Sequence, residues 1–144
     1  MFSKACEYGI RAAIFVAKQS LEGKRVSLKE TTEAIESPEA YTSKILQQLK
    51  RHEIIRSDKG PSGGFSMEAN KLNSLNLQQI VFIFDGNKIY EGCGLGLKRC
   101  NAEKPCPLHH DFVAVRNALS LMLEQTSIKG LATELEEGPA FLKT

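Results

Sequence analysis

Along residues 4–20 apolar side chains return at helical spacing (Ala5, Tyr8, Ala12, Phe15, Val16), with Gly9 the one internal glycine. The pattern predicts an amphipathic helix ended by Gly23. "SLKETTEAI" starts a second helix: Ser27 and Glu30 stand at the spacing of a capping box, and Leu28, Thr31 and Ile35 share a face. In "SPEAYTSKILQQLKRH" Ser37 is the expected N-cap and Pro38 the first helical residue, where a missing N–H is harmless. Tyr41, Ile45, Leu46 and Leu49 form its inward stripe. The period then changes. "IIRSDKGPSGGFSME" opens on Ile54 and Ile55, breaks over residues 58–64, and resumes with Phe65 and Met67 alternating with polar residues, the form of a β-hairpin with a glycine-rich tip.

Beyond residue 70 "NSLNLQQIVFIFDG" predicts a capped helix with Leu77, Ile80, Val81 and Phe84 on its apolar side, ended by Gly86. Residues 111–125 predict a longer helix with Phe112, Val115, Leu119, Met122 and Leu123 on a broad face. Such a helix, placed after a complete small domain, needs a partner: the first helix of its own chain or a second subunit. "ELEEGPAFLKT" reads as a frayed end. Two short helices closely joined and followed by a hairpin give a mostly α fold with a small β-hairpin wing: a winged helix-turn-helix domain over residues 1–75. Residues 76–144 form a connecting helix, a cysteine loop and the long C-terminal helix.

Composition narrows the class. The chain has 144 residues, 42% of them hydrophobic and 25% charged, enough for one soluble domain without staples. Lys4, Glu7, Arg11 and Lys18 break the N-terminal segment as a membrane span or secretory signal, so a cytoplasmic location without membrane contact is expected. Residues 1–75 carry 12 Lys and Arg against 9 Asp and Glu, and the rest 7 against 8, a mild bias of the first half toward a polyanion.

In a helix-turn-helix the start of the second helix faces base edges. Here that start offers Glu39, Thr42, Ser43 and Lys44, while Lys50, Arg51 and Arg56 stand ready to neutralise phosphates. Lys59, with Gly60, Ser62 and Gly63, forms a tip that reaches a neighbouring groove or phosphate. The other chemistry lies in "CGLGLKRCNAEKPCPLHH". Cys93, Cys100, Cys106 and His109 follow C-x6-C-x5-C-x2-H, with glycines and prolines that let the loop fold back. Three thiolates and an imidazole suit an iron–sulfur cluster or zinc, and direct thiol oxidation is a further use of the same residues. Cys6 reads as a small buried side chain, and His52 and His110 as surface or capping groups. No triad, phosphate loop or carboxylate pair suggests an enzyme.

These stretches resemble the Rrf family of bacterial winged-helix regulators, which includes IscR-like and NsrR-like members. "CEYGIRA" is similar to that family's first helix, "SPEAYTSKILQQLKRHEIIRSDKGPSGGFSM" to its recognition helix and wing, and the three-cysteine loop with its following helix to its sensor part. The resemblance implies a homodimer packed through the long C-terminal helices and bound to a pseudo-palindromic DNA operator. It implies a 2Fe-2S or 4Fe-4S cluster on Cys93, Cys100 and Cys106, responsive to redox state, nitric oxide or cluster supply. The fourth ligand it implies is His109, as in IscR-like members, or Glu7 from the other subunit, as in some NsrR-like ones. The first cysteine gap is six residues where five is common in IscR-like members, and Ser43, Lys44 and Lys59 replace glutamate, glutamine and arginine.

Overall fold

A computed structural model of the chain describes residues 1–137 and 142. The first three helices form where the apolar periodicity puts them: α1 (Lys4–Leu21), α2 (Leu28–Ile35) and α3 (Glu39–Arg51). Ser3 caps α1 by accepting from the Cys6 N–H, and Gly23 takes the positive φ that turns the chain away. The capping box of α2 is present in both directions, the Ser27 side chain accepting from the Glu30 N–H and Glu30 from the Ser27 N–H. One cap differs from expectation. Pro38, not Ser37, is the N-cap of α3, and Ser37 is buried in the turn with its hydroxyl near the Pro38 carbonyl. Proline's fixed φ starts the helix there without a side-chain cap, so α3 begins at Glu39.

The wing pairs β1 (Arg56–Asp58) with β2 (Gly64–Ser66) antiparallel, Ser57 opposite Phe65. Val26 adds a further bridge to Phe65, with N–H···O distances of 2.9 and 2.7 Å in the two directions. The root of the hairpin is thereby fastened to the α1–α2 connection. Gly64 is required at that point: it has φ +134°, and a Cβ there would lie 2.8 Å from the Val26 carbonyl.

A short helix α4 (Ala69–Ser74) leads into α5 (Leu77–Asp85), capped by Asn76 and Gln79 as a second reciprocal box and stopped at Gly86. Next come α6 (Lys88–Glu91), the cysteine loop, α7 (His109–Gln125) and α8 (Ile128–Glu137). The last helix corrects an expectation, since residues 134–137, read as part of a frayed end, continue α8. The remainder of "ELEEGPAFLKT", Leu142 excepted, lies outside the described residues. The start of α8 is tied to that of α5 by Ile128 N–H to Leu75 O and Leu77 N–H to Thr126 O, both 3.0 Å. Ile128 and Ala132 are fully buried as α8 packs along α1. The element that covers the first helix within its own chain is therefore α8, while α7 packs on α5 and α6. A single buried cluster runs from Cys6 and Val16 through Leu46, Leu49 and Ile80 to Leu123 and Ala132. Gly9 allows α1 to approach α5 closely: a Cβ there would collide with the Phe84 ring.

Candidate DNA-reading head and thiol loop

α3 turns Ile45, Leu46 and Leu49 into the core and leaves Glu39, Ala40, Lys44, Gln47, Lys50 and Arg51 exposed, with Ser43 half-exposed. Tyr41 meets Tyr8 of α1 edge-on at 5.5 Å, and Arg11 stacks over the same Tyr8 ring at 4.6 Å, so α1 sets the attitude of α3. Thr42 departs from the expected reading set. It is fully buried, and its hydroxyl donates to the Pro38 carbonyl at 3.1 Å, the back-bond that anchors a helix start inside the core. Gln47, one turn on at i+3 from Lys44 and i+4 from Ser43, is exposed on the same face, a position the sequence reading did not single out. His52 is the C-cap of α3 and keeps its Nδ1 3.0 Å from the Gln48 carbonyl, a capping role as expected.

In the wing Lys59, Gly60 and Ser62 are exposed and Gly63 half-exposed. Gly60 has φ +98°, and a Cβ on Gly63 would strike the Asp58 carbonyl, so the tip closes only with glycine at these places. Arg56 does not point unpaired into solvent. Its guanidinium is held by Glu68 at 2.9 Å and Asp58 at 3.2 Å.

The second site is built on α7. His109, Phe112, Arg116, Leu119 and Leu123 follow at i, i+3, i+7, i+10 and i+14, one face of a helix. Leu119 and Leu123 meet the core, and the first three hold the cysteine loop. Gly94 lies against the Phe112 ring so closely that a Cβ would overlap it. Arg116 donates from Nη1 to the Gly92 carbonyl and from Nη2 to the Cys100 sulfur at 3.3 Å. His109, 8% exposed, has Nδ1 3.3 Å from the same sulfur. Cys106 is the thiol neighbour whose presence acts on Cys93. The backbone N–H groups of Leu95 and Leu97, and to a lesser extent Cys106 and the Arg116 charge, hold the Cys93 thiol below its ordinary range against the opposing effect of burial.

The three thiols are half-buried, and all four cysteines are unbridged. Among the described residues no three His, Cys, Asp or Glu side chains sit together at the spacing of one metal ion's ligands. The donors form two pairs, one S–S and one S–N, on a loop fixed at both ends. Soft sulfur donors, backbone N–H groups already directed at one of them and a neighbouring cation are the chemistry an iron–sulfur cluster needs, so the residues fit that group. Glu7 stands apart, paired with Lys4 at 3.0 Å on α1. His110 is exposed, its ring edge-on to His109. Cys6 is fully buried, and burial, then the Asp85 carboxylate, pushes its thiol up to about 12. It serves the core.

The solvent side of α7 exposes Ala114, Ala118 and Leu121, flanked by Val115 and Met122, which were expected on the broad face with Phe112 but stand exposed at its edge, Val115 58% and Leu121 53% exposed. No helix among the described residues is long and apolar enough to cross a membrane.

Comparison with known proteins gives concordant matches. A family profile described as Rrf2, iron-dependent transcriptional regulator, matches residues 2–134. An HTH-type transcriptional regulator of Aquifex aeolicus is 26% identical over 133 residues, covering 91% of this chain and 90% of that protein. Among solved structures, CymR, titled the global cysteine regulator of B. subtilis, superposes with a TM-score of 0.74 at 19% identity, covering 92% of this chain and 96% of that one. IscR of T. potens superposes with a TM-score of 0.74 at 19% identity, covering 97% and 91%. At these identities the two structures establish the winged-helix fold alone.

Proposed function

The chain belongs to the Rrf2 family of transcriptional regulators, a DNA-binding family, and we propose that it is a homodimeric regulator whose cysteine loop sets its affinity for a pseudo-palindromic operator. The carrying observation is the double use of α7. Its inner face grips the thiol loop through His109, Phe112 and Arg116, and its outer face presents an apolar stripe suited to a second copy.

Residues 1–75 are proposed as the reading part. Glu39, Ser43, Lys44 and Gln47 face bases, while Lys50, Arg51 and Lys59 meet phosphates. Residues 76–144 are proposed as the sensing and dimerising part. Cys93, Cys100 and Cys106 would hold a 2Fe-2S or 4Fe-4S cluster, with His109 as the fourth ligand; its ring already shares the neighbourhood of the Cys100 sulfur, whereas Glu7 is paired with Lys4. When bound, such a cluster would supply reversible iron-centred redox chemistry and iron sites open to nitric oxide. The chain's own part is mechanical. Drawing two donor pairs to one centre fixes the span from Gly92 to His109 on α7, and any tilt of α7 alters the angle between the two reading heads. Half-sites about one helical turn apart then accept one angle and reject the other, which is a shift between two populations.

A second reading has its own observation. The Cys93 thiol is shifted toward thiolate and has Cys106 as a neighbour, so a peroxide or disulfide oxidant that takes up two electrons would link the two reversibly. Iron and acid-labile sulfide assays with a visible spectrum, on protein purified without oxygen, separate the two. Visible charge-transfer absorption that disappears in Cys93→Ala is expected; colourless protein without iron after reconstitution would leave only the thiol reading.

A further inference from the structure

The wing places a carboxylate where a DNA-facing surface gains nothing from one. Asp58, the last residue of β1, has its side chain 25% exposed between two arginines. Its Oδ1 accepts from Arg56 at 3.2 Å. Its Oδ2 is buried without a hydrogen bond, and Arg25 stands 3.5 Å from it as an ion pair. Arg25 comes from the connection before α2, 33 residues earlier in the chain, and its other arm donates to the Ser62 carbonyl of the wing tip at 3.1 Å. Arg56 is held from its other side by Glu68 at 2.9 Å. Lys59 remains exposed at the tip between these groups.

Every guanidinium donor spent on Asp58, Glu68 or Ser62 is withheld from phosphate. A guanidinium is otherwise well suited to phosphate, because its planar fork matches two oxygens. Phosphate contacts attract all sequences alike and carry no base information. We propose that Asp58 is a specificity-determining residue: it holds Arg25, and with Glu68 Arg56, away from the DNA backbone, suppressing sequence-independent attraction while fixing the wing that presents Lys59. This rests on the DNA-binding function above. Arg25 is the cation most ready to move, since its tie to Asp58 is the long one and its remaining partner is a neutral carbonyl.

The test uses the full chain, a duplex of about 30 base pairs enriched by the wild-type protein from a random library, and a scrambled duplex of equal length. Affinity for each is measured across a salt series. In Asp58→Asn the scrambled duplex is expected to bind about three- to tenfold more tightly at 0.15 M salt. The slope of log affinity against log salt should steepen by about one, the value for one added phosphate contact, and the ratio of operator to scrambled affinity should fall. Arg25→Ala is expected to leave the slope at its wild-type value, and the double variant to restore it. If Asp58→Asn weakens both duplexes with no change of slope, Asp58 is a structural strut and the inference is overturned. A slope shallower by about one in Arg25→Ala overturns it too, because Arg25 then already touches phosphate; this arm decides the matter even if Asp58→Asn does not fold. Failure of the wild-type chain to enrich any duplex removes the DNA-binding function itself, and the inference with it.

Discussion

Arg116→Ala tests whether α7 holds the thiol loop. The substitution removes two contacts that close the loop, the Gly92 carbonyl and the Cys100 sulfur, on a side chain that is itself half-buried. A hydrogen bond from a charged donor contributes about 1.5–3 kcal/mol, but sulfur is a weak acceptor and partial exposure screens the charge. The two contacts together are therefore worth about 1–1.5 kcal/mol of loop closure. That corresponds to a rise of about five- to tenfold in the open population. Lys98 and Arg99 are exposed in the middle of the loop and give the assay its cleavage sites. In chelator-treated, reduced protein, trypsin should cut there about five- to tenfold faster in the variant, because cleavage follows the open population when reclosing is fast. Arg116→Lys, which keeps the charge and loses the fork, should fall between. A rate within about twofold of wild type in Arg116→Ala would refute the tether, whatever the loop binds.

Four further outcomes are expected. In native, reduced protein Cys93 should react fastest with a thiol reagent and Cys6 not until the chain unfolds. Because the Cys6 thiol ionises near 9 when unfolded but only at about 12 when folded, the native state holds more protons in that window. Stability should thus fall as pH rises from 9 toward 12, by up to about 1.4 kcal/mol per unit in urea titrations, and Cys6→Ala should flatten the slope. Gly9→Val drives a branched side chain into the Phe84 ring and should cost about 1–3 kcal/mol by chemical unfolding, with wild-type stability as the outcome against it. Leu121→Glu on the outer face of α7 should convert a dimer to a monomer in sedimentation while leaving the helical signal intact; a dimer that survives would place the interface elsewhere.

The reading head was legible because its signals are local. The Ser27–Glu30 box and the glycines of the wing act within a few residues and lie where the pattern put them, while Pro38 marks the start of α3 as its N-cap and not as its first helical residue. Even there, Thr42 sits on the helix start that the general rule assigns to bases, and only its back-bond to Pro38 shows that it faces inward. The error at the C-terminus was avoidable. Ile128, Leu131, Ala132 and Leu135 recur at i, i+3, i+4 and i+7, and Ser127 caps the turn through the Gly130 N–H, but the run of glutamates beyond them concealed the stripe. The spacing of the cysteines marked the thiol site, whereas its scaffold was out of reach. Arg116 meets Gly92 across 24 positions and Arg25 meets Ser62 across 37, pairings that depend on tertiary packing and leave no periodic trace.

The central claim is that the state of the thiol loop is communicated to the reading head. Its most direct test is the affinity of one preparation for its selected operator, measured with the cluster loaded and again after it is stripped under reducing conditions. A Cys93→Ser, Cys100→Ser, Cys106→Ser chain serves as the control. The expected result is a change of at least about tenfold on stripping, about 1.4 kcal/mol of coupling, that is absent in the triple variant. Equal affinity in both states, with the cluster demonstrably gained and lost, would contradict the account.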